Sequence, residues 1–540
     1  MNTKYQFKTE PWAHQLAALK ASWDKPYFAL VCEYGTGKTK IIIDNAGILF
    51  EQGKLSALFV VAPNEVHERW VSEQLPLHLP DHIRYIARVW SGSTSKKYKE
   101  SLEELWLAKN KDKLKVLAMN IEALQSSPRA QALSKNFLND FEVMLVVDES
   151  TRIKSVSAKR TKFLVNHLSK LAEYRRTLTG NEVTRSPFDL YAPYEFLAHG
   201  FWRPISSYHV FKHRYGEWKT GFTYRKSINL KTPIACQGGC KRKIYAVEVK
   251  RSAAGLSATC PSCGFVVRNP ESQVQRVLDS GGKFEYPQLI GYKNLEELRT
   301  KVSEHSFLIK KEDCMDLPPK VYQPIYTTLN SEQARVYREL KTTMITEYKD
   351  IELTVQNKIA LSVRFQQVVG GFFPESGERI GDNNPKIDRL MYDLEDVDTG
   401  SPIIVWARFV RELEEIARML RKNYDRPVAL YYGATPKDER KIIIDKLQHG
   451  EYGFFVANPE TAGTGLNLQI ACLHYYYSNS FRAEDRWQSE DRSHRGGQTK
   501  TCTYRDIYIK GTIDDTIKKA NDEKKNLADF FKQNRMEALI

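Results

Sequence analysis

Short apolar runs that end in small or polar residues recur along the chain. Leu58-Phe59-Val60-Val61-Ala62 precedes Pro63, and Val143-Met144-Leu145-Val146-Val147 precedes Asp148. The same pattern returns at 403–406, at 428–432 before Gly433, and at 454–457. None of these runs alternates apolar with polar positions. Strands buried on both faces read this way, as in a parallel sheet covered by helices. Between the runs, apolar residues fall at helical spacing, as over 410–420 and 438–447. Strand–helix alternation predicts α/β layering, and it occurs twice, over roughly 25–200 and 385–510.

The stretch between these two regions has another character. Residues 203–320 are rich in Lys, Arg, Tyr and Gly. Residues 331–371 are polar and charged with apolar residues at helical spacing, which predicts long helix. The expected organisation is two α/β lobes separated by an insertion.

Candidate chemistry sits at the ends of two predicted strands. Phe28-Ala29-Leu30-Val31 leads into Cys32-Glu33-Tyr34-Gly35-Thr36-Gly37-Lys38-Thr39, and a helical pattern follows. Strand, Gly-rich turn, Gly-Lys-Thr and helix is the P-loop arrangement. Gly35 and Gly37 let backbone N–H groups of the turn, with Thr36 between them, curl around phosphate, and the helix N-terminus adds its dipole. Lys38 is expected to reach the β- and γ-phosphates of ATP, and Thr39 to offer a hydroxyl to Mg²⁺. Cys32 stands where the usual pattern has its first Gly. Asp148-Glu149 directly follows the second apolar run, at the strand end where α/β sheets bind ligands. Asp148 is expected to hold Mg²⁺ and Glu149 to polarise the attacking water.

Charge narrows the partner. The chain has 540 residues with 81 Lys and Arg against 66 Asp and Glu, a net charge of +15. That surplus points to a polyanion, and nucleic acid is the usual one. No run approaches the roughly 18–20 apolar residues of a membrane span, and the first residues lack the apolar core of a signal peptide. A membrane partner is not expected.

Taken together, these motifs resemble superfamily 2 helicases, specifically the Swi/Snf-type DNA translocases. Trp12-Ala13-His14-Gln15 is similar to the family's adenine-recognition segment, and residues 33–39 to motif I. Residues 61–70 resemble motif Ia, and Asp148-Glu149-Ser150-Thr151 motif II. Leu178-Thr179-Gly180-Asn181 resembles motif III, residues 403–409 motif IV, and residues 460–468 motif V. Gln488-Ser489-Glu490-Asp491-Arg492-Ser493-His494-Arg495-Gly496-Gly497-Gln498 resembles motif VI, the most specific of the set. Residues 307–320, ending Leu317-Pro318-Pro319-Lys320, resemble a family linker. Two departures stand out: Thr151 replaces the usual His of motif II, and Asn181-Glu182 replaces Thr-Pro in motif III. Both bear on how DNA binding is coupled to hydrolysis.

The resemblance implies two RecA-like lobes. It divides the chain into an ATP-binding lobe at 1–202, an insertion at 203–320, a helical segment at 321–382 and a second lobe at 383–540. It places Gln15, Gly465 and Gln488 at the nucleotide. Arg492 and Arg495 lie three apart, on one face of a helical turn, and are expected to reach the γ-phosphate when the lobes close. An arginine in that role is worth about 10³–10⁵ in rate.

The insertion carries its own signal. Cys236 and Cys240 have three residues between them, and Cys260 and Cys263 two, with nineteen residues between the pairs. This is zinc-ribbon spacing, and four thiolates make a closed structural Zn²⁺ site. Gly238-Gly239 lies within the first pair, Pro261 and Gly264 stand at the second, and residues 243–250 alternate like a strand. The ribbon's basic residues suit phosphate backbone, and a protein-docking role stays open. His209 and His213 are read as a basic helix face, Glu248-Val249-Lys250 as no nuclease, and Tyr475, Tyr476, Tyr477, Phe481, Arg482 and Trp487 as core rather than a stacking platform.

The sequence thus predicts an ATP-driven translocase on double-stranded or branched DNA, monomeric, in the cytoplasm of a bacterial cell or phage-infected host rather than a nucleus. Strand separation or branch migration is the neighbouring alternative. A zinc-ribbon nucleic-acid-binding protein with scaffold-only lobes is the alternative of another class.

Overall fold

In the computed structural model, each of the two α/β regions builds one all-parallel sheet. The structure describes residues 5–532 apart from 65, 225–226, 237, 239, 241, 253–254, 267–282, 349–354, 396, 398–399 and 463–465. In the first lobe β1 (Tyr27–Cys32), β2 (Ala57–Ala62), β3 (Tyr85–Val89), β4 (Leu114–Asn120), β5 (Val143–Asp148) and β6 (Tyr174–Thr179) alternate with helices. The insertion contributes β7 (Gly216–Tyr224), β8 (Ser227–Ala235), β9 (Lys243–Ser252), β10 (Gly255–Thr259) and β11 (Lys283–Tyr292). Then follow β12 (Ser306–Ile309), β13 (Lys320–Thr327), β14 (Ile403–Trp406), β15 (Val428–Tyr431), β16 (Phe454–Ala457), β17 (Leu473–Tyr476) and β18 (Cys502–Ile509).

The first sheet has the order β12-β1-β6-β5-β2-β4-β3 and the second β13-β18-β17-β14-β16-β15. Two short strands therefore fall outside the expected lobe limits. β12 lies within the predicted insertion yet pairs with β1, and β13 begins at its last residue, runs through the start of the segment expected to be helical, and pairs with β18. Only residues 310–319 separate them, so a brief linker passes from one sheet edge to the other.

The unalternating runs are explained by burial on both faces. Every residue of β2 and β5 is buried. In the second lobe Ile403, Val405, Phe454, Val456, Tyr475 and Tyr477 pack on one side. Ile404, Trp406, Phe455, Ala457 and Tyr476 pack on the other. The side chains thus divide by the two-residue period of the strand. The three tyrosines at 475–477 are fully buried and belong to the core, whereas Phe481 and Trp487 are half-buried and Arg482 is exposed.

Two compact units emerge, one comprising residues 1–215, 294–328 and 384–540, and the other residues 216–293 and 329–383. The first holds both parallel sheets. In the second, β8, β9 and β10 form an antiparallel sheet and β7 pairs with β11. The long helical pattern there appears as Ser331–Tyr348 and Val355–Val369. Among the described residues, no helix is long and apolar enough to cross a membrane.

One buried cation fixes the entry to the first lobe. Arg176, on β6, is wholly buried. Its Nε and Nη2 donate to Asn45 Oδ1 at 3.2 and 3.1 Å, and Nη2 donates to the Ser22 carbonyl at 2.7 Å. Ser22 ends the helix Ala13–Ser22 and Asn45 lies in the helix Lys38–Glu51. Arg176 therefore ties the helix that carries Gln15 to the helix that carries Lys38. Arg176→Ala would leave these acceptors unpaired beside a cavity, and should destabilise the lobe by about 3 kcal/mol or more. A lowered denaturant midpoint checks this, and an unchanged midpoint would contradict it.

Candidate nucleotide site between the lobes

The first half of the site is built at the carboxyl ends of β1 and β5. The turn after β1 needs its glycines. Gly35 and Gly37 have φ of +86° and +81°, where a side chain is strained. At Gly37 space forbids one as well, since a Cβ would come within 2.1 Å of Gln15 Nε2. Gln15 Nε2 donates to the Thr36 carbonyl at 3.1 Å, and His14 Nε2 lies 2.8 Å from the same oxygen. Gln15 Oε1 accepts from the Trp12 N–H. Gln15 thus braces the loop. Thr36 turns inward, its hydroxyl donating to the Glu33 carbonyl at 2.7 Å. Lys38 Nζ lies along the turn, 2.6 Å from the Cys32 carbonyl, and Thr39 occupies the first helical turn.

Asp148 ends β5, buried. Its Oδ2 accepts from Trp70 Nε1 at 2.9 Å and its Oδ1 from the Glu149 N–H at 3.0 Å. Burial raises its pKa. Glu149 sits in the left-handed region at φ 53°, an unusual place for a side-chain-bearing residue and common at functional sites. Burial pushes its carboxyl up to about 7, against Lys38 and with help from Asp148 and Glu484.

The second half comes from the helix Ala483–Glu490 and the turns that follow it. Gln488 Nε2 donates to the Tyr34 hydroxyl at 2.8 Å, and that hydroxyl donates to Glu149 Oε2 at 3.0 Å. The Arg492 guanidinium lies 5.8 Å from the Tyr34 ring centre. Arg495 Cβ lies 3.5 Å from where a Cβ on Gly35 would stand, so Arg495 adjoins the phosphate turn. Burial lowers the pKa of both arginines, and Arg492 adds to the effect at Arg495. The candidates Gln15, Gly35, Gly37, Lys38, Asp148, Glu149, Gln488, Arg492 and Arg495 converge on one seam. Gly465 lies outside the described residues.

An ion-pair network closes the seam. Lys311, in the linker, places Nζ 2.7 Å from Asp491 Oδ1 and 2.7 Å from the His494 carbonyl, while its N–H donates to Glu33 Oε2. Lys320 Nζ lies 3.1 Å from Glu490 and 3.4 Å from Asp491. Burial by itself would raise the Asp491 pKa, but Lys311 and Lys320 outweigh it and hold the carboxyl at about 2. Farther along, Glu484 accepts from Thr151 Oγ1 at 2.9 Å and pairs with Lys154 at 3.2 Å. Thr151, the departure in motif II, thus makes a contact between lobes. Asn181 Oδ1 accepts from the Val183 N–H, capping its own turn. The sequence carries no signal for Glu484, and Lys311 lies within the recognisable linker with nothing there to assign it a role. Glu33, Tyr34, Trp70 and Lys320 lie inside recognisable motifs, but nothing in the motifs assigns them a role.

A separate cluster lies in the other compact unit. The sulfurs of Cys236, Cys240, Cys260 and Cys263 are all within 4.8 Å of one another. Cys236 and Cys263 are 3.6 Å apart, and Cys240 and Cys260 3.9 Å. The Gly238 N–H donates to Cys236 Sγ, and Gly264 turns at φ +73°. His209 and His213 place their Nε2 atoms 3.3 Å apart, and neither belongs to a group of three or more metal-type donors among the described residues.

The family model described as the SNF2-related domain matches residues 28–368, and that of the helicase conserved C-terminal domain matches residues 385–497. The ATP-dependent helicase fft2 of Schizosaccharomyces pombe is 25% identical over 560 residues, covering 96% of this chain and 40% of that protein. The chromatin-remodeling ATPase INO80 of Mycosarcoma maydis is 24% identical over 266 residues, 44% of this chain and 14% of that protein. The chain spans 15–40% of the length of the first three curated relatives. The solved Sulfolobus solfataricus SWI2/SNF2 ATPase core in complex with dsDNA aligns over 99% of this chain and 96% of its own, at 19% identity and a TM-score of 0.38.

Proposed function

The chain belongs to the SNF2-related family, and from that premise we propose that it is a DNA-dependent ATPase that translocates on double-stranded DNA and so remodels DNA or protein–DNA complexes. The observation that carries this reading is the seam itself. Lys38, Asp148 and Glu149 come from one lobe, Gln488, Arg492 and Arg495 from the other, and Tyr34 bridges them. A site divided in this way works only when the lobes meet, which ties chemistry to lobe motion.

In this reading the turn at 35–37 and Lys38 take the phosphates at a helix N-terminus. Trp12, His14 and Met315 line a cleft of about 500 Å³ that suits the adenine. Thr39 and Asp148 are hard oxygen donors, and Trp70 with the Glu149 N–H fixes the Asp148 carboxylate, so the donor set fits magnesium. Magnesium held there neutralises phosphate charge. Glu149 takes the proton of the attacking water as its oxygen bonds to the γ-phosphorus. The bond from that phosphorus to the bridging oxygen breaks, and ADP and inorganic phosphate leave. Arg492 and Arg495 face the charge that spreads over the γ-oxygens in the transition state. The net charge of +15 supplies the attraction to the phosphate backbone.

The cysteine cluster is read as a structural zinc ribbon. A tetrahedron with Zn–S bonds of about 2.3 Å has edges of about 3.8 Å, and the Cys236–Cys263 and Cys240–Cys260 pairs stand at 3.6 and 3.9 Å. The N–H···S bond from Gly238 suits a thiolate. Zinc there would staple the ends of β8 and β10.

Four outcomes are expected. Duplex DNA should raise ATP turnover more than RNA does, and Arg495→Ala should lower kcat and kcat/KM together by at least about tenfold while fluorescent nucleotide still binds. A rate within about threefold of the unmodified protein, some 0.7 kcal/mol of barrier, would remove Arg495 from the site. Elemental analysis should find one zinc per chain. Chelation should expose the four thiols and leave nucleotide binding intact, because the seam residues lie in the other compact unit. Protein without zinc whose four thiols react freely would contradict the ribbon.

A further inference from the structure

Tyr34 lies inside the phosphate turn at a position to which the P-loop pattern assigns no chemistry. Its ring has a fixed seat. A Cβ at Gly180 would come within 2.6 Å of the ring, so the side chain lies over a glycine of the neighbouring strand end. Lys38 Nζ is 4.9 Å and the Arg492 guanidinium 5.8 Å from the ring centre. With the ring held, the hydroxyl oxygen has one place, between Gln488 Nε2 at 2.8 Å and Glu149 Oε2 at 3.0 Å.

The hydrogen-bond arithmetic is one-directional. A phenol has one proton to give and lone pairs to receive. An amide NH₂ of Gln488 is only a donor, and an ionised carboxylate only an acceptor. While Gln488 donates to the oxygen, the phenol proton is directed at Glu149. Gln488 stands on the second lobe and Glu149 on the first, so this two-bond chain is complete only when the lobes are in contact. It takes up Oε2 of Glu149 and orients Oε1 for other work.

We propose that Tyr34 is a positioning residue that reports lobe closure to Glu149, its hydroxyl passing the Gln488 contact on to the carboxylate that receives the water's proton. The proposal rests on the reading of Glu149 as that acceptor. The charged groups whose fields reach Glu149 are Lys38 on its own lobe, Asp148 beside it, and Glu484 and Arg492 from the second lobe.

Tyr34→Phe tests it, because the ring and its contacts with Gly180, Lys38 and Arg492 are kept and only the hydroxyl goes. With saturating duplex DNA, kcat should fall about tenfold while KM for ATP moves less than about twofold. Gln488→Leu gives the same test from the other lobe and should reach a similar rate. The double variant should be no slower than the slower single, since both break one chain. Losses that multiply, or a Tyr34→Phe rate within about twofold of the unmodified protein, would overturn the proposal. Glu149→Gln separates it from its premise. If that variant is inactive and Tyr34→Phe is not slowed, the relay alone fails. If Glu149→Gln turns over normally, the assignment of Glu149 fails and the relay with it. Should Tyr34→Phe not fold, Gln488→Leu at full kcat overturns the proposal by itself.

Discussion

The meeting of the two half-sites turns on a lysine that the chemistry does not touch. Lys311 sits in the ten-residue linker between the sheets, buried, with its ammonium on Asp491 and on the His494 carbonyl. Its own N–H is held by Glu33, inside the phosphate turn. One residue thus joins the first lobe's turn to the stretch of the second lobe that carries Arg492 and Arg495. A buried charge without its partner is costly, about 3–5 kcal/mol when one member of a pair is removed. The lobes therefore meet in the register that satisfies Lys311, and that register brings the arginines to the turn.

Positive charge gathers beside the phosphate turn, where Arg492 and Lys38 flank the Tyr34 ring and Arg495 adjoins Gly35, and burial lowers the pKa of both arginines. A triphosphate is the kind of ligand that relieves such a gathering. On the same seam, Thr151 and Lys154 hold Glu484, at a distance from the phosphate turn in sequence but on the same helix as Gln488. Glu484 and Gln488 lie four apart on one face of this helix, and Arg492 and Arg495 lie in the turns that follow it rather than on a continuing helical face. Nucleotide chemistry and lobe contact are read by the same short segment.

Much of this is legible in the amino-acid order alone. The unalternating apolar runs announce buried parallel strands, and the phosphate turn and Asp148-Glu149 are visible because such chemistry needs short, contiguous patterns. The two-lobe reading and the resemblance follow from their order. What stays hidden is of another kind. β12 and β13 are four and eight residues long, and β13 has exposed positions, so neither has the pattern of a long buried strand. Lys311 and Glu484 are ordinary charged residues in a chain with many, and only tertiary contact distinguishes them. Thr36 reads as a phosphate contact because of its neighbours, yet its hydroxyl serves the turn itself. The Thr151 departure from motif II has the look of a loss and is in fact a contact with the other lobe.

The linker's buried ion pair holds the two half-sites together. Lys311→Met keeps the volume and removes the charge. Small-angle X-ray scattering together with ATP turnover is the direct measurement. The account predicts a larger radius of gyration and a turnover at least about tenfold lower, equivalent to some 1.4 kcal/mol of barrier, with nucleotide still bound by the first lobe. An unchanged radius with unchanged turnover would contradict it.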